Sequence, residues 1–583
     1  MKEVGEMLEP TWKLQDLHQQ ADVLDGKKGP SMLLKNARYL HSTLKQWLHG
    51  NIWIEGERIV YAGPDMPTNI EDTEIVDVAG KTLVPGYIEP HVHPFQLYNA
   101  VTFADFAAQT GTTTMLCDNL TLYLNMKNNK AFHLLDELKK LPFTFYWWVR
   151  LDSQTQMIRE HNLFSGHALK EWGKRPDVLM AGELTSWPRL LDGDDQLLYW
   201  LQLASAYGKK IEGHLPGSST KTLAKMKLFG IDGDHEAMTI DEVKNRLLHG
   251  YDVTLRYSSI RPDLPEMLRD MVAENWHTYD HLMMTTDGSM PHFHVDGLMD
   301  KCIRVALDAG VPPIEAYQMA SYNTARYYNL DKYQGFIATG RVANINVLED
   351  EFHPTPISVL SKGQWLKRDN EQVHSLNDFS LRDYHKPLAL DFDLTEDDFQ
   401  FSMPFGIEMV NDVITKPYSI NLHVNEGDLA KDHDECFLVL IDRHGKWRVN
   451  TMLKGFATHL DGFASSYSIT GDIILIGKSM KSMMRAFREV RDMQGGIVVV
   501  DGEEIVEKMA LTLDGIMSDK PMEDLIVEEA RIVSAVKKRG YKHGDLIYTL
   551  LFLQATHLPY IRITQRGIFD VMKKQVLFPS VMR

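Results

Sequence analysis

Cysteine is scarce in this chain: Cys117, Cys302 and Cys436 are the only three among 583 residues. They lie far apart and form no CxxC pair, which excludes a disulfide framework and thiolate zinc sites and points to a reducing compartment. Any metal must therefore be held by nitrogen and oxygen. Basic charge is also short, with 62 Lys plus Arg against 80 Asp plus Glu, a net charge of −18. Nucleic acid and anionic membrane surfaces are bound through clustered cations, so neither is the expected partner and a small-molecule substrate is. Long hydrophobic runs are missing too, since no segment reaches the roughly 20 apolar residues that span a bilayer. The opening MKEVGEMLEP carries acids where a signal peptide needs a basic stretch and an apolar run. These absences predict a soluble cytoplasmic protein, expected to act as a homo-oligomer.

What is present is enough apolar material, 44% of residues, to fill several cores. Residues 1–30 read as a helical extension, with the apolar spacing of Trp12, Leu14, Leu17 and Ala21 ending at Gly26-Lys27-Lys28-Gly29-Pro30. Residues 31–82 show short apolar runs between turns, and the same texture returns at 335–390, so one small β domain is expected from two separated stretches. Between them, residues 83–334 alternate apolar runs with amphipathic stretches, the rhythm of βα units. Candidate strands are Leu83–Ile88, Thr112–Leu116, Thr144–Val149, Val178–Ala181, Lys210–Glu212, Leu228–Ile231, Asp252–Tyr257 and His281–Thr285. Eight strands in about 250 residues is the size of a (β/α)8 barrel. Residues 395–583 mix strands and helices as an α+β domain, and Asp391–Asp398 reads as a solvated linker.

Barrel enzymes carry their reactive groups at the C-terminal ends of the strands. There this chain places His91 and His93, Glu183, His214, His235 and Asp287, six of them, paired on the first strand and single on the others. One His or Asp in such a loop is ordinarily a hydrogen-bonded residue or a helix cap. Six together point to a metal centre, and four His, one Glu and one Asp suffice for two divalent ions if Glu183 bridges them. Asp287 is then placed to act as a base toward a metal-activated water and as an acid toward a leaving group.

The run Leu83-Val84-Pro85-Gly86-Tyr87-Ile88-Glu89-Pro90-His91-Val92-His93 resembles the signature of the metal-dependent amidohydrolase superfamily, and Gly335 to Leu348 resembles its return strand. Gly182-Glu183, Gly213-His214-Leu215-Pro216-Gly217 and Asp234-His235-Glu236 are similar to the motifs of its adenine-deaminase-like members. The likeness continues into the C-terminal part at Gly495-Gly496, Leu511 to Ser518 and Leu553 to Asp570. It implies an amidohydrolase-type (β/α)8 barrel with a small β-sandwich from the flanking segments and a C-terminal α+β domain. It also implies His91, His93, Glu183, His214, His235 and Asp287 as ligands of two divalent metal ions, usually manganese, with iron or zinc as alternatives. Glu183 and Asp287 become the catalytic pair, and the implied reaction is hydrolytic conversion of adenine to hypoxanthine and ammonia.

The segments that depart from the family pattern are Pro94-Phe95-Gln96-Leu97, Cys117-Asp118-Asn119-Leu120, Gly288-Ser289-Met290-Pro291 and Ser466-Tyr467-Ser468-Ile469. The alternative they raise is an amidohydrolase acting on another aminopurine, cyclic amidine, amide or lactam. A non-catalytic protein with a relict barrel is the reading from another class, and it predicts broken metal ligands. Phe95, Glu236 and His292 are the candidate substrate contacts. His292 and His294 form a second HxH pair that is either a loop pair or a substrate or metal contact. The aromatic run Phe143 to Trp148 either walls a purine pocket or fills the barrel core.

Overall fold

A computed structural model describes residues 12–420, 428–431 and 433–583. Eight strands form one parallel sheet in sequence order: Tyr87–Val92 (β1), Thr112–Asp118 (β2), Thr144–Val149 (β3), Val178–Leu184 (β4), Lys210–Gly213 (β5), Gly233–Asp234 (β6), Asp252–Arg256 (β7) and Leu282–Thr285 (β8). Helices run between them and the sheet curls until β8 stands beside β1, giving the (β/α)8 barrel. The strands are buried on both sides, which is why they read as continuous apolar runs.

Two strands differ from the expected positions. The run expected as one strand, Leu83–Ile88, belongs to two sheets: Thr82–Pro85 pairs antiparallel with Ile345–Leu348, and β1 begins only at Tyr87. The antiparallel contact runs on to Gly86, whose amide donates to the Asn344 carbonyl at 2.9 Å, and the chain passes into the barrel at Tyr87, whose amide donates to the Gly111 carbonyl at 2.9 Å. The sixth strand lies at Gly233–Asp234, not at Leu228–Ile231. Leu228 instead ends the helix Thr220–Leu228, which starts where the Ser219 side chain accepts from the Thr222 amide.

The barrel helices follow ordinary amphipathic logic. In Asp195–Ala206 the Asp194 carboxylate caps the first turn by accepting from the Leu197 amide at 2.9 Å. Leu197, Trp200, Leu201 and Ala204, spaced three and four apart, are buried against the sheet. Each buried leucine contributes roughly 2 kcal/mol, and Leu201→Ala would cost about 2–5 kcal/mol through the cavity it leaves.

Segments before and after the barrel join in a nine-stranded sheet in which Thr82–Pro85 and Ile345–Leu348 are the meeting strands. A second nine-stranded sheet spans strands from Phe405–Met409 to Glu504–Ala510, with Val581–Met582 at an edge. It packs with helices Met480–Asp492 and Met522–Lys537 as an α+β unit. The segment read as a solvated linker is partly anchored: Asp398 is buried and takes Arg583 at 2.7 Å and Arg448 at 3.3 Å. In the N-terminal extension, residues 1–11 lie outside the described residues, and the helix is Leu14–Leu24. The apolar face expected there is the exposed one, with Leu14 77% accessible, while Gln20 and Val23 are the residues that pack. Among the described residues no helix is long and apolar enough to cross a membrane.

Candidate metal centre

The strand ends bring six side chains to one spot. His91 and His93, both on the same side of extended chain, place their Nε2 atoms 3.3 Å apart. Asp287, on the turn after β8, sets Oδ1 3.1 Å from His93 Nε2 and 3.7 Å from His91 Nε2. Its backbone is in the left-handed region at φ 56°, a conformation held by the Thr285 hydroxyl, which accepts from the Asp287 amide at 2.9 Å. The next residue must be glycine, because a Cβ on Gly288 would lie 2.7 Å from the His93 ring.

Glu183 is the centre of the arrangement. Gly182, at φ 133° and with no room for a Cβ beside the Glu212 carbonyl, delivers it into the barrel mouth. Oε2 lies 3.8 Å from His93 Nε2, while Oε1 lies 2.5 Å from His214 Nδ1 and 3.3 Å from His235 Nε2. Two donor sets result, His91/His93/Glu183 and Glu183/His214/His235, each with its donor atoms within 4.8 Å of one another. Donors about 2.1 Å from a shared ion would be spaced on the order of 3–4 Å, close to what these sets show.

The chemistry of the unpaired atoms fits cations. His91 Nδ1, His214 Nδ1 and both ring nitrogens of His235 are buried without an aligned hydrogen bond; the 2.5 Å approach of His214 to Glu183 lacks hydrogen-bond geometry. Buried polar atoms are ordinarily paired, so His214 Nδ1 and His235 Nε2, left unpaired beside one Glu183 oxygen, are suited to a metal ion. His93 is oriented from behind, with Nδ1 2.7 Å from Asp118 Oδ2, leaving Nε2 for the centre.

A buried ring of charges supports these groups. Arg150 Nε donates to Asp118 at 2.9 Å, and its Nη2 stands 3.4 Å from Glu183 Oε2. Arg256 Nη1 donates to Asp287 Oδ2 at 2.9 Å and is 2.7 Å from Glu236 Oε1, while Arg261 reaches Glu236 Oε2 at 3.0 Å. Burial pushes the carboxyls up, yet the cations override it: Arg150 and His93 take Asp118 to about 2, and Arg256 with the two histidines takes Glu236 to about 2. Asp287 and Glu183 are likewise held well below the usual range against the pull of burial, Asp287 by His93 and Arg256, Glu183 by His214 and His235. Glu89 is the opposite case: burial wins over its hydrogen bonds and lifts it to about 7.

A cavity of about 230 Å³ lies over the cluster, walled by His93, Glu183, His214 and Asp287 below and by Tyr467, Tyr548, Phe552 and His557 of the C-terminal unit above. Of the expected substrate contacts, Phe95 and Glu236 line this cavity. His292 does not: its side chain is 58% exposed and faces Glu529 at 3.5 Å. His294 is buried against the Ser289 carbonyl, and the aromatic run is core, with Trp148 stacked 4.5 Å from His91 outside the cavity wall. Sequence reasoning missed Arg150 and Arg256, although each stands at a strand end where the same rule would have found it. It also missed His557, which no spacing signals.

Residues 82–366 match the Amidohydrolase family and residues 412–575 match the Adenine deaminase C-terminal domain. A protein of Halalkalibacterium halodurans, named as a proposed adenine deaminase, is 50% identical over 98% of this chain and 99% of its own length. One from Bacillus subtilis, named in the same terms, is 50% identical over 98% and 99%. The chain belongs to the adenine deaminase family of amidohydrolases. Members of the amidohydrolase family use a divalent metal, and the shared-carboxylate donor sets are a place for it. Among solved structures, a beta-aspartyl dipeptidase from Fervidobacterium islandicum is similar, with 17% identity, a TM-score of 0.46, and coverage of 59% of this chain and 98% of that one.

Proposed function

We propose that this protein hydrolyses adenine to hypoxanthine and ammonia. The observation that carries the reading is Glu183, with one carboxylate oxygen toward each donor set, and Asp287 beside the first of them. His91, His93 and Asp287, with Glu183 Oε2, would hold one divalent ion; Glu183 Oε1, His214 and His235 would hold the other. Manganese suits this set of nitrogen and oxygen donors, with iron and zinc as alternatives. When bound, the ions supply an acidified water at neutral pH.

The chain's own residues do the rest. Asp287 Oδ1 takes the proton from the attacking water while Arg256 holds Oδ2 in place. The C6–O bond forms first, the C6=N1 π pair moving onto N1 to leave a tetrahedral C6. When that carbon collapses, C6=N1 re-forms and C6–N6 breaks, Asp287 returns the proton to the departing nitrogen, which leaves as ammonia, and the proton still on oxygen passes to N1 to give hypoxanthine. Phe95 and the apolar roof side chains bound the ring and exclude bulk water. Glu236, fixed by Arg256 and Arg261, presents a carboxylate edge to the heterocycle.

In this reading the barrel, residues 83–334, is the catalytic unit, flanked by the small β domain (31–82 plus 335–390) and roofed by residues 395–583. The enzyme works in the cytoplasm as a homo-oligomer, without nucleic acid or membrane, in keeping with its acidic balance. A second reading, another aminopurine or a cyclic amidine, amide or lactam, is favoured by one feature: Tyr467 and Gln96, from two segments that depart from the family pattern, bond each other at the cavity wall. Turnover assays of the metal-loaded protein with adenine, other aminopurines and cyclic amides decide between the two, with ammonia released from adenine as the expected result.

A further inference from the structure

Most polar side chains around the cavity are already occupied. Tyr548 donates to the Gly288 carbonyl at 2.7 Å, Ser468 to the Asp472 carbonyl at 2.8 Å, and Gln154 to Glu183 Oε2 at 3.2 Å. His557 differs. Its Nδ1 is buried without a partner, and among the described residues neither ring nitrogen makes a hydrogen bond. The ring is held by packing, its edge against His214 with centroids 5.3 Å apart at 79°. An unsatisfied buried polar atom is costly in a folded protein, and at a cavity wall the missing partner is most simply the ligand.

The position of His557 strengthens the point. A second cavity of about 690 Å³ lies beside the first, and Gln154 and His557 are the residues that line both. Gln154 is fixed: its side chain holds Glu183 and its carbonyl accepts from the Thr556 amide at 2.9 Å. The loop carrying His557 is tied down on the other side by the Thr155 hydroxyl, which donates to the Gln554 carbonyl at 2.7 Å. The imidazole is thus a side chain on an anchored loop that can turn about its own bonds without breaking a hydrogen bond.

We propose that His557 is a substrate-recognising residue, whose imidazole hydrogen-bonds a ring nitrogen or carbonyl of the heterocycle as it enters the metal cavity from the outer one. The proposal rests on the deaminase reading and names the contact that the C-terminal unit supplies. An imidazole donates from one nitrogen and accepts at the other, so it suits an aminopurine and its lactam product alike.

Three proteins test this: wild type, His557→Phe, which keeps a packed ring but no hydrogen bond, and His557→Gln, which restores an amide donor and acceptor. Each is assayed for metal content, for adenine kcat and KM, and for hypoxanthine binding by calorimetry. The expectation is two metal equivalents in all three, KM and the hypoxanthine Kd raised about tenfold in His557→Phe, and values within about threefold of wild type in His557→Gln. Unchanged KM and Kd in His557→Phe overturn the proposal alone, and so does an equal loss in both variants, which would mark a packing role. A metal-loaded wild type that leaves adenine untouched overturns the deaminase reading and takes this contact with it.

Discussion

Glu89 on β1 accepts hydrogen bonds from both the amide and the hydroxyl of Thr286, at 3.0 and 2.9 Å, across 197 positions of sequence. Its other oxygen accepts from the Thr285 hydroxyl at 2.6 Å and the His91 amide at 3.2 Å. No strand ladder joins β1 to β8 among the described residues, and Glu89, with the Thr285 hydroxyl that also reaches the His91 carbonyl at 2.9 Å, bridges the barrel where backbone pairing stops. The seam it closes carries His91 and His93 on one side and Asp287 on the other.

Glu89→Ala should therefore loosen the first donor set as well as the fold. Loss of a buried, multiply bonded carboxylate predicts about 3 kcal/mol lower stability in denaturant unfolding. Metal analysis of the folded variant should show one equivalent retained in place of two.

Glu183→Gln removes the charge that both donor sets share. Metal content should fall below one equivalent, and adenine turnover to less than roughly a thousandth of wild type, as for loss of a principal metal ligand and its activated water.

Asp287→Asn separates proton transfer from assembly. The remaining donors leave most of the metal in place, whereas kcat should fall about 10³-fold, within the range for losing a general acid and base. Metal analysis and turnover on the same sample check both halves.

Asp118→Asn acts from behind His93. Arg150 loses its ionic partner and His93 the acceptor that fixes its orientation, so chelator titration should show metal affinity lowered about 10–100-fold.

Asp472 gives a pH signature remote from the metals. It is buried, and burial lifts its carboxyl to about 6 despite hydrogen bonds from Thr470, Gln565 and the Arg443 amide. A carboxyl whose folded pKa lies above its unfolded value keeps its proton more firmly when folded. Its contribution to stability is thus largest below about pH 4 and is lost as the pH rises to about 6, by roughly 3 kcal/mol. Asp472→Asn should flatten that part of the unfolding free energy against pH.

The barrel was legible because buried parallel strands leave apolar runs, and the site because the ends of five of the eight strands carry its donors: His91, His93, Glu183, His214, His235 and Asp287 all meet at the same end of the barrel. Boundaries were less legible where one apolar run serves two sheets, as at Leu83–Ile88, or where a capped helix takes an apolar end, as at Leu228. His292 misled because two histidines at alternate positions look alike in sequence whether the turn after them faces a cavity or Glu529. Arg150, Arg256 and His557 were hidden for a different reason. Their roles depend on partners at a distance, Asp118, Asp287 and the roof of the C-terminal unit; Arg150 and Arg256 do stand at strand ends, as the donors do, whereas nothing local marks His557.

The most direct measurement is an adenine assay on the manganese-loaded wild-type protein, with metal content determined on the same sample. The account predicts stoichiometric hypoxanthine and ammonia at about two metals per chain, and loss of activity on chelation with recovery when metal is returned. A protein holding its full complement of metal that releases no ammonia from adenine would contradict it.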